Sequence, residues 1–195
     1  MESKYLWLLD NGHAKSTPGK RSLVFENGAQ LFEYEYTRDL VSRIAAKLEA
    51  VGISYHILIP ETDEDIPVID RATRANQFAA DKPKLYVSVH GNANGFGQTW
   101  DDAHGIETFY CIASSKGKRM AGIFQKKLIE LTGLRDRGVK TAEFVVLNKT
   151  QMPAIRTENG FYTNKDECAK MADPAWRELV AEAHFQAIIE LDPIL

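Results

Sequence analysis

The sequence predicts an α/β fold: a single three-layer domain with a mostly parallel central sheet and helices on both faces. Short β-prone runs alternate with longer amphipathic runs along the 195 residues. Helices of ten or more residues between strands imply crossover connections, which make neighbouring strands parallel and cover both faces of the sheet. Because the length suits one domain and no linker-like segment interrupts the chain, we expect residues 1–195 to form one domain.

The hydrophobic period predicts each element in turn. An apolar run at residues 5–9 predicts the first strand, and a long polar loop follows it to about residue 30. Apolar residues at three- and four-residue spacing from Tyr36 to Leu48 predict a helix that ends at Gly52. The other strands are predicted at 53–59, 85–89, 105–112, 143–147 and 154–157, and the other helices at 66–80, 118–131, from 165 onwards and at 174–191.

Composition excludes several classes of protein. The 24 basic and 27 acidic side chains give a net charge of -3, whereas nucleic-acid-binding proteins usually carry a basic excess. No apolar stretch reaches the ~20 residues of a transmembrane segment, and no secretory signal is visible. We therefore expect a protein that is made in the cytosol, or one whose signal has been removed. Cys111 and Cys168 lack a C-x-x-C spacing, and we expect them to be reduced thiols in the core.

Polar groups follow three of the predicted strands, at residues 10–13 (D-N-G-H), 90–93 (H-G-N-A) and 156–161 (R-T-E-N-G-F). In open α/β sheets, ligands bind beyond the carboxyl ends of the strands. Glu33 stands between the first two groups, at the start of the first predicted helix. Two histidines and one carboxylate form a common ligand set for a catalytic zinc ion, which keeps a fourth position for water.

These motifs resemble those of the zinc-dependent N-acetylmuramoyl-L-alanine amidases, the α/β family of cell-wall hydrolases and phage endolysins. The family's D-x-G-H turn corresponds to residues 10–13, and its S-[IV]-H-x-N-A turn corresponds to residues 88–93. Its E-x-G-F turn corresponds to residues 158–161, and Glu33 stands where the family has its ligand glutamate. The resemblance runs from about residue 5 to residue 189. Each motif is weak alone, but four in the right order are specific.

The resemblance implies a function and a set of site residues. It implies that His13, Glu33 and His90 bind Zn²⁺ and that Glu158 is the catalytic acid–base residue. The substrate is then the amide bond between N-acetylmuramic acid and L-alanine in peptidoglycan. We further expect a monomer that acts on the cell wall, either as a phage lysin or as a secreted enzyme.

Two residues outside the ligand set are candidate substrate contacts. Asn92 follows the ligand histidine and either binds substrate or caps its loop. Arg137 lies where the family often places a basic residue near substrate carboxylates, although a solvated surface arginine is nearly as common. Of the aromatic residues that could stack on sugar rings, Trp100 is the best candidate for an exposed contact. The others are Phe96, Phe109 and Tyr110, of which the last two fit a strand core better.

Several alternatives stay open at this stage. Glu35 and Glu26 compete with Glu33 as the carboxylate ligand, although the apolar face of the helix favours Glu33. We expect the remaining histidines, His56, His104 and His184, to be structural or solvated. The same metal site would serve a zinc peptidase or a deacetylase, and a non-catalytic muropeptide-binding protein could retain the pocket.

Overall fold

The computed structural model describes residues 3–95 and 98–195 and confirms the predicted α/β class. The strands are β1 (Leu6–Asn11), β2 (Tyr55–Ile57), β3 (Lys84–Asn92), β4 (Ile106–Tyr110), β5 (Asp136–Thr141) and β6 (Ala154–Phe161). The helices are α1 (Glu33–Ala50), α2 (Val68–Gln77), α3 (Ser115–Thr132), α4 (Val145–Asn148), α5 (Lys165–Ala172) and α6 (Pro174–Leu191).

The six strands form one sheet in the order β2-β1-β3-β6-β4-β5. The strands β2, β1, β3 and β6 run parallel, joined by crossover connections as expected. The strand β4 is antiparallel to β6 and parallel to β5, so the last two strands run in the opposite direction. The sheet is therefore mostly parallel, and the carboxyl ends of β1, β3 and β6 meet at one edge.

The two faces of the sheet are covered unequally. The large core packs α1, α3, α5 and α6 against the face that carries Trp7, Leu9, Val87 and Ile155. The other face carries Leu8, Tyr86 and Ala154, and it is covered by the short helices α2 and α4. A cavity remains between these short helices and the carboxyl ends of β1, β3 and β6.

One predicted element is wrong. Residues 143–147 were expected to form a strand, but the short helix α4 begins at Val145. The strand in this part of the chain is β5, which lies earlier, at Asp136–Thr141, on the edge of the sheet. The sequence of β5, D-R-G-V-K-T, has no apolar alternation because this edge strand is largely exposed. Val146 and Leu147 are apolar because they pack against the sheet, and a short buried run does not distinguish a helix from a strand.

Two histidines and both cysteines have structural surroundings. His184 is completely buried on α6, where its ring lies 3.0 Å from the hydroxyl oxygen of Thr157, so it is structural and not solvated. The ring of His56 stacks at 4.1 Å on that of Phe78. Cys168 is buried and Cys111 is half-buried, and both thiols are free. None of the described helices combines the length and apolar content that a membrane span requires.

Candidate metal centre

The candidate site is built on two cross-strand rows of the sheet. His90 on β3 pairs with Glu158 on β6, and Glu158 pairs with Glu107 on β4. Two residues earlier along the strands, Asp10, Ser88 and Arg156 form a second row. Because side chains alternate between the faces of a sheet, both rows point to the face that α2 and α4 cover. His90 and Glu158 thus lie within their strands, near the carboxyl ends, and not in the loops beyond them.

A tight turn after β1 brings His13 over this row. The N–H of Gly12 donates to the carbonyl oxygen of Val89 at 3.0 Å. A Cβ at Gly12 would stand 2.2 Å from the Cε1 atom of His90, so only glycine allows this close approach. His13 itself has a positive φ of 62°, and its ring centroid lies 5.0 Å from that of His90. The turn is held by Thr37, whose hydroxyl donates to the carbonyl oxygen of Gly12 at 2.8 Å.

Glu33, the first residue of α1, completes the cluster. Its Oε1 lies 3.1 Å from Nδ1 of His90, and its Oε2 lies 3.5 Å from Nε2 of His13. One donor atom from each of these three residues lies within 4.8 Å of the other two. Both rival glutamates lie elsewhere: Glu35 is exposed and accepts from the hydroxyl of Tyr34, and Glu26 is exposed and pairs with Lys165.

Three buried polar atoms at this site have no hydrogen-bond partner within residues 3–95 and 98–195: Nε2 of His13, Oε2 of Glu33 and Oε2 of Glu158. Buried polar atoms in proteins are almost always paired, so such a group calls for an explanation. Two of the three belong to the His–Glu–His cluster, and the donor set is the one that zinc prefers. The residues present therefore fit a divalent metal ion with a water molecule beside it.

Burial sets the protonation states of the cluster. It lowers the pKa of His13 to about 3 and holds the pKa of His90 well below its ordinary value, with nearby cationic side chains adding to both effects. Both rings are therefore neutral at pH 7, which is the form that binds metals, and their contacts with Glu33 are not ion pairs. Burial, followed by the neighbouring Glu158, raises the pKa of Glu33 to about 8. A bound cation would oppose that rise, since it favours the ionised carboxylate.

A chain of hydrogen bonds fixes the orientation of His90. Its Nε2 lies 3.1 Å from the hydroxyl oxygen of Ser88, which in turn donates to Oδ2 of Asp10 at 2.7 Å. Asp10 also accepts from Tyr86 at 2.6 Å and from Arg71 at 2.7 Å. Since Nε2 is engaged in this chain, Nδ1 is the ring nitrogen left to face Glu33 and a metal ion.

Glu158 is buried beside the cluster with one oxygen engaged and one open. Its Oε1 accepts a hydrogen bond from Nε of Arg156 at 2.6 Å, and its Oε2 is the open atom. Burial raises the pKa of this carboxyl, and the adjacent guanidinium of Arg156 opposes the rise. A carboxylate with an elevated pKa next to a candidate metal ion suits the transfer of a proton.

Comparison with known proteins agrees with this geometry. A family model described as N-acetylmuramoyl-L-alanine amidase matches residues 8–190. The chain belongs to this family.

The amidase-family assignment is supported by relatives and by a solved structure. The chain is 35% identical to the endolysin of Bacillus phage SPP1 over 193 residues, and this match covers 97% of this chain and 66% of the endolysin. It is 32% identical over 177 residues to the N-acetylmuramoyl-L-alanine amidase LytC of Bacillus subtilis, covering 90% of this chain and 33% of LytC. The chain thus spans between a third and two thirds of these two proteins. The crystal structure of an N-acetylmuramoyl-L-alanine amidase from Clostridium difficile 630 superposes with a TM-score of 0.84 at 28% identity, covering 100% of both chains.

In this amidase-family chain, the two predicted substrate-binding residues, Asn92 and Arg137, both donate hydrogen bonds to the carboxylate of Glu107. Glu107 accepts from Nδ2 of Asn92 at 2.8 Å and from Nε of Arg137 at 3.0 Å, and it also pairs with Lys140. Arg137 additionally lies over the ring of Phe161 at 4.8 Å. The structure thus places both residues next to the row that carries Glu158, outside the His–Glu–His cluster, and their contact with substrate stays a prediction.

The aromatic candidates differ in their surroundings. Trp100 is half-buried and packs at 5.0 Å against Phe25, because the loop folds back on the core, so it is less exposed than expected. Its contact with a sugar ring stays a prediction. Phe109 packs edge-on against Phe144 at 5.2 Å, as a residue of the strand core would. Phe96 lies outside the described residues. Nδ1 of His104 lies 2.7 Å from the nearby carbonyl oxygen of Asp102.

Three residues of the site received no predicted role from the sequence: Ser88 and Arg156, which lie within the predicted motifs, and Glu107, which lies outside them. Glu107 could have been found from the sequence, because it is the one charged residue in the strand I-E-T-F-Y. Arg156 carried a similar signal two residues before Glu158, in a strand that is otherwise buried. A charged side chain in a strand interior is rare unless it is paired, so both positions warranted attention.

Proposed function

We propose that this chain is the catalytic domain of a zinc-dependent N-acetylmuramoyl-L-alanine amidase of the cell wall. His13, Glu33 and His90 would bind the zinc ion. The observation that carries the proposal is the convergence of their donor atoms within 4.8 Å beside Glu158, whose Oε2 is buried and open. The names of the relatives support the substrate, since one is an endolysin and another an N-acetylmuramoyl-L-alanine amidase.

The chemistry follows from these positions. When bound, zinc supplies a Lewis acid that lowers the pKa of a water molecule towards ~7 and polarises the scissile carbonyl. Oε2 of Glu158 accepts a proton from the attacking water as the oxygen of the water bonds to the lactyl carbonyl carbon. Glu158 then delivers that proton to the nitrogen of L-alanine as the C–N bond breaks. The products are the lactyl carboxylate of N-acetylmuramic acid and a stem peptide with a free amine. A general acid–base group of this kind contributes typically 10²–10⁴-fold in rate.

Asn92 and Arg137 are proposed to contact the substrate at the Glu107 side of the site. Glu107 holds the Nε edge of Arg137, while the side chain of Arg137 remains partly exposed. A guanidinium fixed along one edge can still donate from its other nitrogens to a carboxylate of the peptide. The enzyme would act on the cell wall as a phage lysin or as a secreted protein, and as a monomer.

The test is mass spectrometry of purified sacculi after digestion by the metal-loaded chain. The proposal expects soluble peptides that begin with a free L-alanine amine, together with glycan whose lactyl groups end in carboxylates. Chelator treatment should stop the release, and zinc should restore it. Release of acetate would indicate a deacetylase, cleavage within the peptide would indicate a peptidase, and binding without any product would indicate a muropeptide-binding protein. Each of these three outcomes contradicts the proposal.

A further inference from the structure

We propose that Arg156 is a specificity-determining residue, which binds a carboxylate of the stem peptide in the cavity beside the candidate metal ligands. This inference rests on the proposed function, because it assigns one part of the substrate to one part of that site. It differs from the role of Arg137, which lies on β5, two strands away from the strand β6 that carries both Arg156 and Glu158.

The cavity has the size of a small chemical group. Its volume is about 160 Å³, and its lining includes His13, His90, Arg71, Arg156 and Val146. It lies between the row of Asp10, Ser88 and Arg156 and the helices α2 and α4. This space can admit a carboxylate with its adjoining carbon atoms.

Arg156 is the cation of the cavity that has donors to spare. Arg71 uses all of its guanidinium nitrogens, on Asp10, on Asp65 and on backbone carbonyl oxygens. Arg156 uses only Nε, which donates to Glu158, and within residues 3–95 and 98–195 its two terminal nitrogens have no hydrogen-bond partner. Its guanidinium also lies 4.4 Å from the ring centre of Phe144, which holds the group in place.

A guanidinium with a free pair of N–H groups is suited to a carboxylate. The fork matches the two oxygens of the carboxylate, and an ionised partner makes each hydrogen bond stronger than a neutral one. In peptidoglycan, the free carboxylates close to the scissile bond belong to the stem peptide. Because Arg156 lines the same cavity as His13 and His90, a peptide residue that enters the cavity lies close to the bond to be cut.

The experiment compares two synthetic substrates that differ in one group. Both consist of N-acetylmuramoyl-L-alanine extended by one glutamate residue, with its α-carboxylate either free or converted to an amide. The zinc-loaded wild type is expected to favour the free acid by about tenfold in kcat/KM, mostly through KM. R156L should bring the ratio of the two kcat/KM values to about one, and R156K should keep part of the preference, because lysine retains the charge but not the fork.

Controls separate this role from the contact of Arg156 with Glu158. If the loss of Arg156 displaces Glu158, both substrates are hydrolysed more slowly. The quantity to compare is therefore the ratio of the two kcat/KM values and not either value alone. R74L is the matched control: Arg74 pairs with Glu61 and is not among the residues that line the cavity, so R74L should preserve the ratio. If R137L removes the preference while R156L retains it, or if the wild type shows no preference, the proposal is wrong.

A second measurement distinguishes failure of the proposed amidase function from failure of the proposed carboxylate contact. If the chain cleaves neither substrate, ligand-observed NMR with L-alanyl-D-glutamate and its α-amide measures binding directly. Weaker binding of the free acid to R156L than to the wild type, with the amide unchanged, supports the carboxylate subsite even without amidase activity. Equal binding of both dipeptides to the wild type overturns it.

Discussion

Glu158 lies directly opposite His90 on the neighbouring strand, so the candidate acid–base group and one candidate metal ligand share one row of the sheet. Neighbouring strands are ~4.8 Å apart, which places the two side chains next to each other on a rigid support. The other two candidate ligands, His13 and Glu33, come from a turn and from the start of a helix. The geometry of the site therefore depends on how that turn and that helix dock on the sheet.

Glu158→Gln tests the acid–base role. The amide cannot accept and deliver the proton, so hydrolysis of sacculi should fall by at least ~10²-fold. Because the His–Glu–His cluster does not include Glu158, the zinc content of the purified variant should equal that of the wild type. Turbidity loss of sacculi and elemental analysis measure the two quantities. Activity close to the wild-type level would rule out this role.

The pair Glu33→Gln and Glu35→Gln tests which glutamate binds the metal. Glu33 is buried in the cluster, whereas Glu35 is exposed on the same helix. The first variant should lose tight zinc binding, and the second should retain it with wild-type activity. Zinc titration against a chromophoric chelator gives both affinities. Equal affinities of the two variants would contradict the assignment of Glu33.

Ser88→Ala tests the hydrogen-bond chain behind His90. Without the hydroxyl, Nε2 of His90 loses its partner and Asp10 loses a donor. Partners of this kind typically contribute 10–100-fold to metal affinity, and we expect a zinc Kd that is higher by that factor. Ser54→Ala is the control, since the hydroxyl of Ser54 accepts from Lys82 at 3.2 Å and is not part of the chain behind His90. A zinc Kd equal to that of the control would show that the chain does not support the ligand.

Gly12→Ala tests the close approach of the turn to His90. The added methyl group would lie 2.2 Å from the ring, so His90 or the turn must move. Overpacking of this kind destabilises by about 1–3 kcal/mol, and the displaced ring should also weaken zinc binding. The matched control is Gly122→Ala in α3, where a new Cβ has no heavy atom within 4 Å and should be stabilising by roughly 0.5–1 kcal/mol. Urea unfolding of both variants compares the free energies.

His184→Gln tests the pH dependence of stability. Burial lowers the pKa of His184 to about 4, well below its ordinary value of 6.5, so the folded protein keeps this ring neutral. The unfolded chain binds the proton more readily, and the stabilisation is therefore present above pH 6.5 and is lost as the pH falls towards 4. From pH 7 to pH 5 this residue alone should lower the free energy of unfolding by about 2 kcal/mol.

The measurement compares how steeply the free energy of unfolding changes with pH in the wild type and in His184→Gln. The wild type should lose more stability than His184→Gln over this pH range. Burial also lowers the pKa of His56, but His56 is less buried, so His56→Gln should differ from the wild type by less than His184→Gln does. Identical pH dependence of the wild type and His184→Gln would contradict the prediction.

The hydrophobic period predicted most of the elements, and it failed where exposure or burial changed the pattern. The edge strand β5 has no apolar alternation, because neither of its faces is buried deeply. The run that precedes Asn148 is apolar because α4 packs on the sheet, and its length did not distinguish a turn of helix from a strand. Trp100 was expected in solvent, since a loop sequence does not record whether the loop folds back on the core.

The sequence by itself determined the α/β class and the residue types of the site, because periodicity and short motifs depend on residues close together in the chain. The tertiary structure decided which of three glutamates joins the two histidines, and it showed that Arg156 holds Glu158 while Glu107 gathers Asn92 and Arg137. Glu33 and His90 are 57 residues apart, so their contact depends on how α1 docks over the sheet edge. No local pattern contains that information, since docking is set by the packing of the whole core.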